Sequence, residues 1–135
     1  MKIYLAGGMS KLTFRAQNAW RMVVKESLLR MDNAPEVINP VEYYNFESVD
    51  YKTQREVMEF DLYNVRRSDI VVVNFNEPSS IGTAMELAVA RENHIPIIGL
   101  NDENNDLHPW LVEHCTRMCD SMAELITHIT DFYLS

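Results

Sequence analysis

Short apolar runs alternate along this chain with longer stretches in which apolar residues recur every three or four positions. Residues 2–6 (KIYLA) read as a first strand, and the spacing over about 14–31 predicts an amphipathic helix. Residues 36–40 (EVINP) form a short strand closed by proline, and NPVEYYNFESVDY an irregular loop rich in aromatics. A helix follows over about 53–67. Residues 69–75 (DIVVVNF), with successive valines, give the strongest strand signal. Residues 80–93 read as a helix, 95–100 (IPIIGL) as a buried strand and 101–110 (NDENNDLHPW) as a polar loop. A short strand near Arg117–Cys119 and a helix from Met122 to about Tyr133 complete the pattern.

Strands that alternate with helices imply a parallel sheet covered on both faces, and continuous apolar strands fit burial on both sides. The expected architecture is α/β: a three-layer, flavodoxin-like (Rossmann-like) arrangement of five parallel strands, with residues 1–135 as one domain. In such folds ligands bind beyond the carboxyl ends of the strands. That rule gathers three segments around one crevice: AGGMS after the first strand, NPVEYYNF after the second and NFNEPSSIG after the valine strand.

Composition narrows the partners. The chain is 47% hydrophobic and 24% charged, the balance of a globular domain, and its formal net charge is −8. Nucleic-acid polymers are bound through neutralised phosphates, which needs a basic surface; Arg66–Arg67 is the densest basic spot and suits a helix C-terminus better. No apolar stretch is long enough for a membrane span, and the apolar run in MKIYLAGGMS is too short for a secretory signal, so a cytoplasmic location is expected. Cys115 and Cys119 lack partners at zinc spacing and read as reduced thiols.

Candidate chemistry lies at the crevice. Gly7 and Gly8 allow close backbone approach to a ligand, and Ser10 can cap the next helix or donate to an oxygen; a tight turn with a cap is the equal alternative. The pattern is neither a dinucleotide fingerprint nor a phosphate-binding loop with a terminal Gly-Lys-Ser. In PSSIGTAME, Ser79 or Ser80 can cap a helix whose free amides favour negative charge. Glu86 then falls in the second turn, on the face of Gly82, Thr83, Val89 and Ala90. Facing the pocket, it is a carboxylate nucleophile for a sugar carbon; facing out, it is an ordinary solvated glutamate, the commoner case for the helix alone. Asp61 sits in mid-helix, where Asp is a poor former, and serves either as a second acid at the pocket rim or as a surface partner for a nearby Arg.

Taken in order, MKIYLAGGMS, VINPVEYY, FDLYNVRRSDIVVVNF and PSSIGTAMELAVAREN-HIPIIGL resemble the nucleoside 2-deoxyribosyltransferase-like superfamily. This group holds deoxyribosyltransferases and deoxynucleoside 5'-monophosphate N-hydrolases. The resemblance spans most of the chain and is weakest over 101–120. It implies that Glu86 is the nucleophile, Asp61 the acid near the base and Tyr4 a strand residue that holds the nucleophile. It also implies that Ser80, with Gly82 and Thr83 at the helix start and with Gly7, Gly8 and Ser10, cradles substrate, a serine at position 80 marking the phosphate-binding branch. Arg15 would add charge to that cradle. Ala84 stands where the family usually has Gly, and the first loop is less rich in Gly, Ser and Arg than in the hydrolases. No metal or organic cofactor is implied. The implied partners are a small nucleoside or nucleotide and further copies of the chain, as a homodimer or higher oligomer, with His108, Trp110 or His114 as candidates to complete a neighbour's pocket. Two alternatives stay open: a non-catalytic nucleotide-binding module, and a glycohydrolase of NAD or a nucleotide signal.

Overall fold

The apolar run that opens the chain is strand β1 (Lys2–Gly7), and every residue from Ile3 to Gly7 is buried. The computed structural model describes residues 1–9, 13–44 and 53–135, so Ser10 and residues 45–52 of the aromatic loop lie outside the described residues. The remaining elements are α1 (Phe14–Leu29), β2 (Glu36–Ile38), a 3-10 turn (Pro40–Tyr43), α2 (Gln54–Arg66), β3 (Ile70–Asn74), α3 (Ile81–Glu92), β4 (Ile97–Leu100), α4 (Pro109–His114), β5 (Arg117–Cys119) and α5 (Met122–Tyr133).

The strands form one parallel sheet in the order β2-β1-β3-β4-β5, the expected flavodoxin-like arrangement. Strand alternation sorts the core into two layers. Ile3, Leu5, Ile70, Val72, Ile98 and Leu100 pack against α1 and α5 through Trp20, Val24, Leu28, Leu125 and Ile129. Tyr4, Ala6, Val71, Val73 and Ile97 face the opposite way, towards Val65 of α2 and Leu87 and Ala90 of α3. Each fully buried valine of β3 contributes roughly 1.5–3 kcal/mol. Tyr4 therefore belongs to the α2/α3 side, and the parallel register sets it between Ile38 and Val71.

Side-chain caps set the helix starts. Thr53 and Glu56 form a reciprocal capping box on α2, and Ser80 accepts from the Thr83 amide at the start of α3. Several boundaries differ from the sequence pattern. Helix α1 stops at Leu29, with Arg30 as its C-cap. Strand β2 ends at Ile38, because the Asn39 side chain accepts from the Val41 amide and Pro40 starts the 3-10 turn. Strand β4 begins at Ile97 because the Ile95 amide still closes α3 on Ala90 and Pro96 has no amide to give. The polar stretch 101–110 runs into a short helix, α4, in which His108 caps Trp110 and Pro109 takes the first position.

Candidate active site

Two tyrosine–carboxylate pairs lie on the α2/α3 side of the sheet. Tyr4, fully buried on β1, donates its hydroxyl to Glu86 Oε2 of α3. Tyr44, just after the 3-10 turn, donates to Asp61 Oδ1 of α2 at 2.5 Å and is itself 8% exposed. Glu86 as a residue keeps partial solvent access, yet its carboxyl sits among Tyr4, Asp61 and Arg21. The structure thus brings Tyr4, Asp61 and Glu86 together and turns Glu86 inward rather than to bulk water.

The electrostatics follow from this packing. Burial is the main cause that pushes the Glu86 carboxyl up to about 8; the Tyr4 hydrogen bond and the Arg21 charge oppose the rise, and Asp61 adds to it. Burial likewise pushes Asp61 up to about 6, against the Tyr44 hydrogen bond and Arg21. Burial, then Glu86 and Asp61, hold the Tyr4 phenol well above its ordinary range, so it remains a donor. Burial thus favours the protonated form of both carboxyls, more strongly at Glu86 than at Asp61. Such a pair can attack an electron-poor carbon with one member and carry a proton with the other.

The remaining candidates form a second group at the start of α3. The Ser80 Oγ accepts from the Thr83 amide at 3.3 Å and from the Thr83 hydroxyl at 2.9 Å, which leaves its own proton available to a ligand oxygen. A side chain at Gly82 would meet nothing within 4 Å, so the first turn of α3 is open there. Gly7 and Gly8 are closed by the protein itself. A Cβ at Gly7 would come 2.9 Å from Trp20 and 3.3 Å from Arg21, and one at Gly8 would come 2.0 Å from a carboxylate oxygen of Glu77. Glu77 is buried, and its backbone carbonyl accepts from the Ser80 amide at 3.0 Å. Arg15 is exposed on the first turn of α1. His108, Trp110 and His114 lie on and around α4, in a hollow of about 320 Å³ shared with Ser80, Ile81 and Ala84. Among the described residues, no group of His, Cys, Asp and Glu is placed to hold a metal ion, and no helix is long and apolar enough to cross a membrane.

Two residues of the site escaped the sequence reading. Tyr44 lay in an aromatic stretch with no helical or strand period to orient it. Arg21 did leave a signal: it falls on the buried stripe Gln17, Val24, Leu28 of α1, where a charge is anomalous.

A model of the nucleoside 2-deoxyribosyltransferase family matches residues 3–127. No protein with a curated description matches the sequence. Among solved structures, a conserved protein from Enterococcus faecalis V583 superposes with a TM-score of 0.79 at 20% identity, over 97% of this chain and 98% of that one. A 2-deoxyribosyltransferase from Bacillus psychrosaccharolyticus gives 0.73 at 18% identity, over 93% and 90%. A CMP N-glycosidase from Clostridium botulinum gives 0.63 at 16% identity, over 98% and 99%. These likenesses establish a shared fold, and the match across nearly the whole sequence goes further: this chain belongs to the nucleoside 2-deoxyribosyltransferase family.

Proposed function

We propose that the protein cleaves or transfers the N-glycosidic bond of a nucleoside or nucleoside 5'-monophosphate. The observation that carries this reading is the Tyr4-held carboxyl of Glu86 beside the Tyr44-held carboxyl of Asp61. An ionised Glu86 attacks the anomeric carbon as the bond to the base breaks, and the electron pair leaves with the base nitrogen. Asp61 delivers a proton to that nitrogen. Water, or the nitrogen of a second base, then attacks the same carbon, Glu86 departs as carboxylate, and the proton released returns to Asp61. Developing positive charge on the sugar favours the ionised form of Glu86, while a protonated Asp61 supplies the leaving group. No cofactor enters this sequence.

The available Ser80 proton and the neighbouring amides of α3 suit a 5'-phosphate, and with it hydrolysis. The second copy expected for the family would lie on α4, which buries none of its residues although it carries Trp110, Leu111 and Val112.

Chromatography separates these readings. The protein is incubated with deoxynucleoside 5'-monophosphates, then with a nucleoside plus a foreign base, and also with NAD. Free base from the monophosphates supports hydrolysis, and a new nucleoside supports transfer. Nicotinamide release alone, or base release undiminished in Glu86→Ala, overturns the proposal.

A further inference from the structure

Asn39 is fully buried at the end of β2, and both ends of its side-chain amide are used. Its Oδ1 accepts from the Val41 amide at 3.1 Å, and its Nδ2 donates to Asn18 Oδ1 of α1 at 2.9 Å. The Asn39 backbone carbonyl accepts from the Glu42 amide at 3.1 Å. One residue thus closes the 3-10 turn twice and ties it to α1. The start of such a turn needs only an acceptor, which Ser, Thr or Asp would also supply. The donor to Asn18 is a further requirement, and among the short side chains asparagine alone carries both.

The turn leads directly into the site. Tyr44 is its C-cap, with the backbone extended at φ −115° and ψ 114°. The Tyr44 hydroxyl donates to Asp61 Oδ1 at 2.5 Å and lies 3.3 Å from the Val57 carbonyl oxygen. Its ring meets Phe60 edge-on, with centroids 6.5 Å apart. All three neighbours belong to α2, a helix that buries only Val65 and so gives Tyr44 little hold. The firm side is the other one, where Val37, Ile38, Pro40 and Val41 are buried and Asn39 is bonded to α1. Lys25 also meets both Glu42 oxygens, at 2.8 and 2.9 Å, but that pair is partly exposed and open to screening.

We infer that Asn39 is a positioning residue for the reaction: it fixes the 3-10 turn against α1 so that the Tyr44 hydroxyl meets the Asp61 carboxyl. The inference rests on Asp61 as the acid of the proposed mechanism. Among the described residues, Tyr44 is the only side chain that hydrogen-bonds to Asp61, and this bond opposes the rise that burial imposes. The other titratable or charged groups coupled to Asp61 are Arg21 of α1, Tyr4 of β1 and Glu86 of α3. None of these is carried by the turn, so a change at Asn39 reaches Asp61 through Tyr44.

The test compares Asn39→Leu and Asn18→Ala with Tyr44→Phe and the natural chain, after circular dichroism has confirmed the fold of each. The Asp61 carboxyl is titrated by carbon-13 NMR and assigned by its loss in Asp61→Asn. Its midpoint, about 6 in the natural chain, should rise in Asn39→Leu by nearly as much as in Tyr44→Phe. It should rise by less in Asn18→Ala, which leaves the bonds within the turn in place. The acid arm of kcat/KM should move upward with the midpoint, and below that arm each unit of movement lowers kcat/KM about tenfold. The double variant Asn39→Leu/Tyr44→Phe should titrate like Tyr44→Phe alone, because both changes act on one bond. An unmoved midpoint in a folded Asn39→Leu overturns the inference, as does a double variant in which the two rises add. Asn18→Ala decides the matter if Asn39→Leu does not fold. A midpoint that moves while the kcat/KM profile stays unchanged overturns Asp61 as the acid, and with it any part of Asn39 in the reaction.

Discussion

Tyr4 and Glu86 stand 82 positions apart in the chain and share one hydrogen bond, with the phenol as donor. Strand alternation turns Tyr4 towards α3, and the second turn of α3 presents Glu86 to it. Replacing Tyr4 by Phe removes a donor to a charged group, worth roughly 1.5–3 kcal/mol. The expected result is a fall in kcat of about tenfold to a hundredfold with little change in KM, read from the rate of base release.

The two carboxyls predict a bell-shaped pH profile. Activity needs one proton on the pair, so kcat/KM should rise through about pH 6 and fall through about pH 8. A profile that climbs steadily from pH 5 to 9 would show that no proton donor of this kind is required.

Tyr44→Phe should act first on Asp61. Its hydroxyl holds the Asp61 carboxyl down against burial, so its loss raises that carboxyl and moves the acid arm of the profile upward. The upper arm should move less. Steady-state rates across the pH range with the Tyr44→Phe variant distinguish this from a general loss of packing, which would lower the whole curve.

Stability should pull against activity at Glu86. A carboxyl raised from 4.5 to about 8 on folding makes the native state bind the proton more tightly than the unfolded chain. Its stabilising contribution is therefore complete below about pH 4.5 and is lost as pH rises through about 8. Glu86→Gln removes that penalty and keeps an acceptor for Tyr4. Thermal unfolding should show the variant more stable than the natural chain at pH 8, by an amount on the order of a few kcal/mol, and nearly equal to it at pH 4. Equal melting temperatures at both pH values would mean that Glu86 is not desolvated.

Trp110→Glu tests the expected association of copies. Trp110 is 73% exposed on a helix with no buried residue, beside Ile81 and the hollow between α3 and α4. Sedimentation should report a dimer or larger species for the natural chain and a smaller one for the variant. A natural chain that sediments as a monomer removes this proposal without touching the chemistry of Glu86.

The fold was legible because period and burial agreed along most of the chain. Three successive valines marked β3, and alternation with helices implied the parallel order that the sheet adopts. Helix α4 was not legible: six residues with none buried leave no stripe, and only Pro109 hinted at a start. In the site, Glu86 announced itself as a charge inside an apolar run. Arg21 did the same on α1, but its stripe also holds Gln17, which blurs the contrast. Tyr44 could not be placed, because a tyrosine in an irregular segment is oriented by tertiary contacts with Val57 and Asp61 rather than by any local period. The glycines have a packing role that the sequence did not show. Their missing side chains at Gly7 and Gly8 make room for Trp20, Arg21 and Glu77, and a sequence does not reveal which neighbour fills the gap.

The two halves of the chemistry rest on unequal foundations. Among the described residues, helix α3 buries Thr83, Leu87 and Ala90 against the sheet, whereas α2 buries only Val65 and is held besides by the Tyr44 bonds to Val57 and Asp61. The acid therefore depends on Tyr44 for its seat, while the nucleophile is carried by a helix with its own apolar anchor.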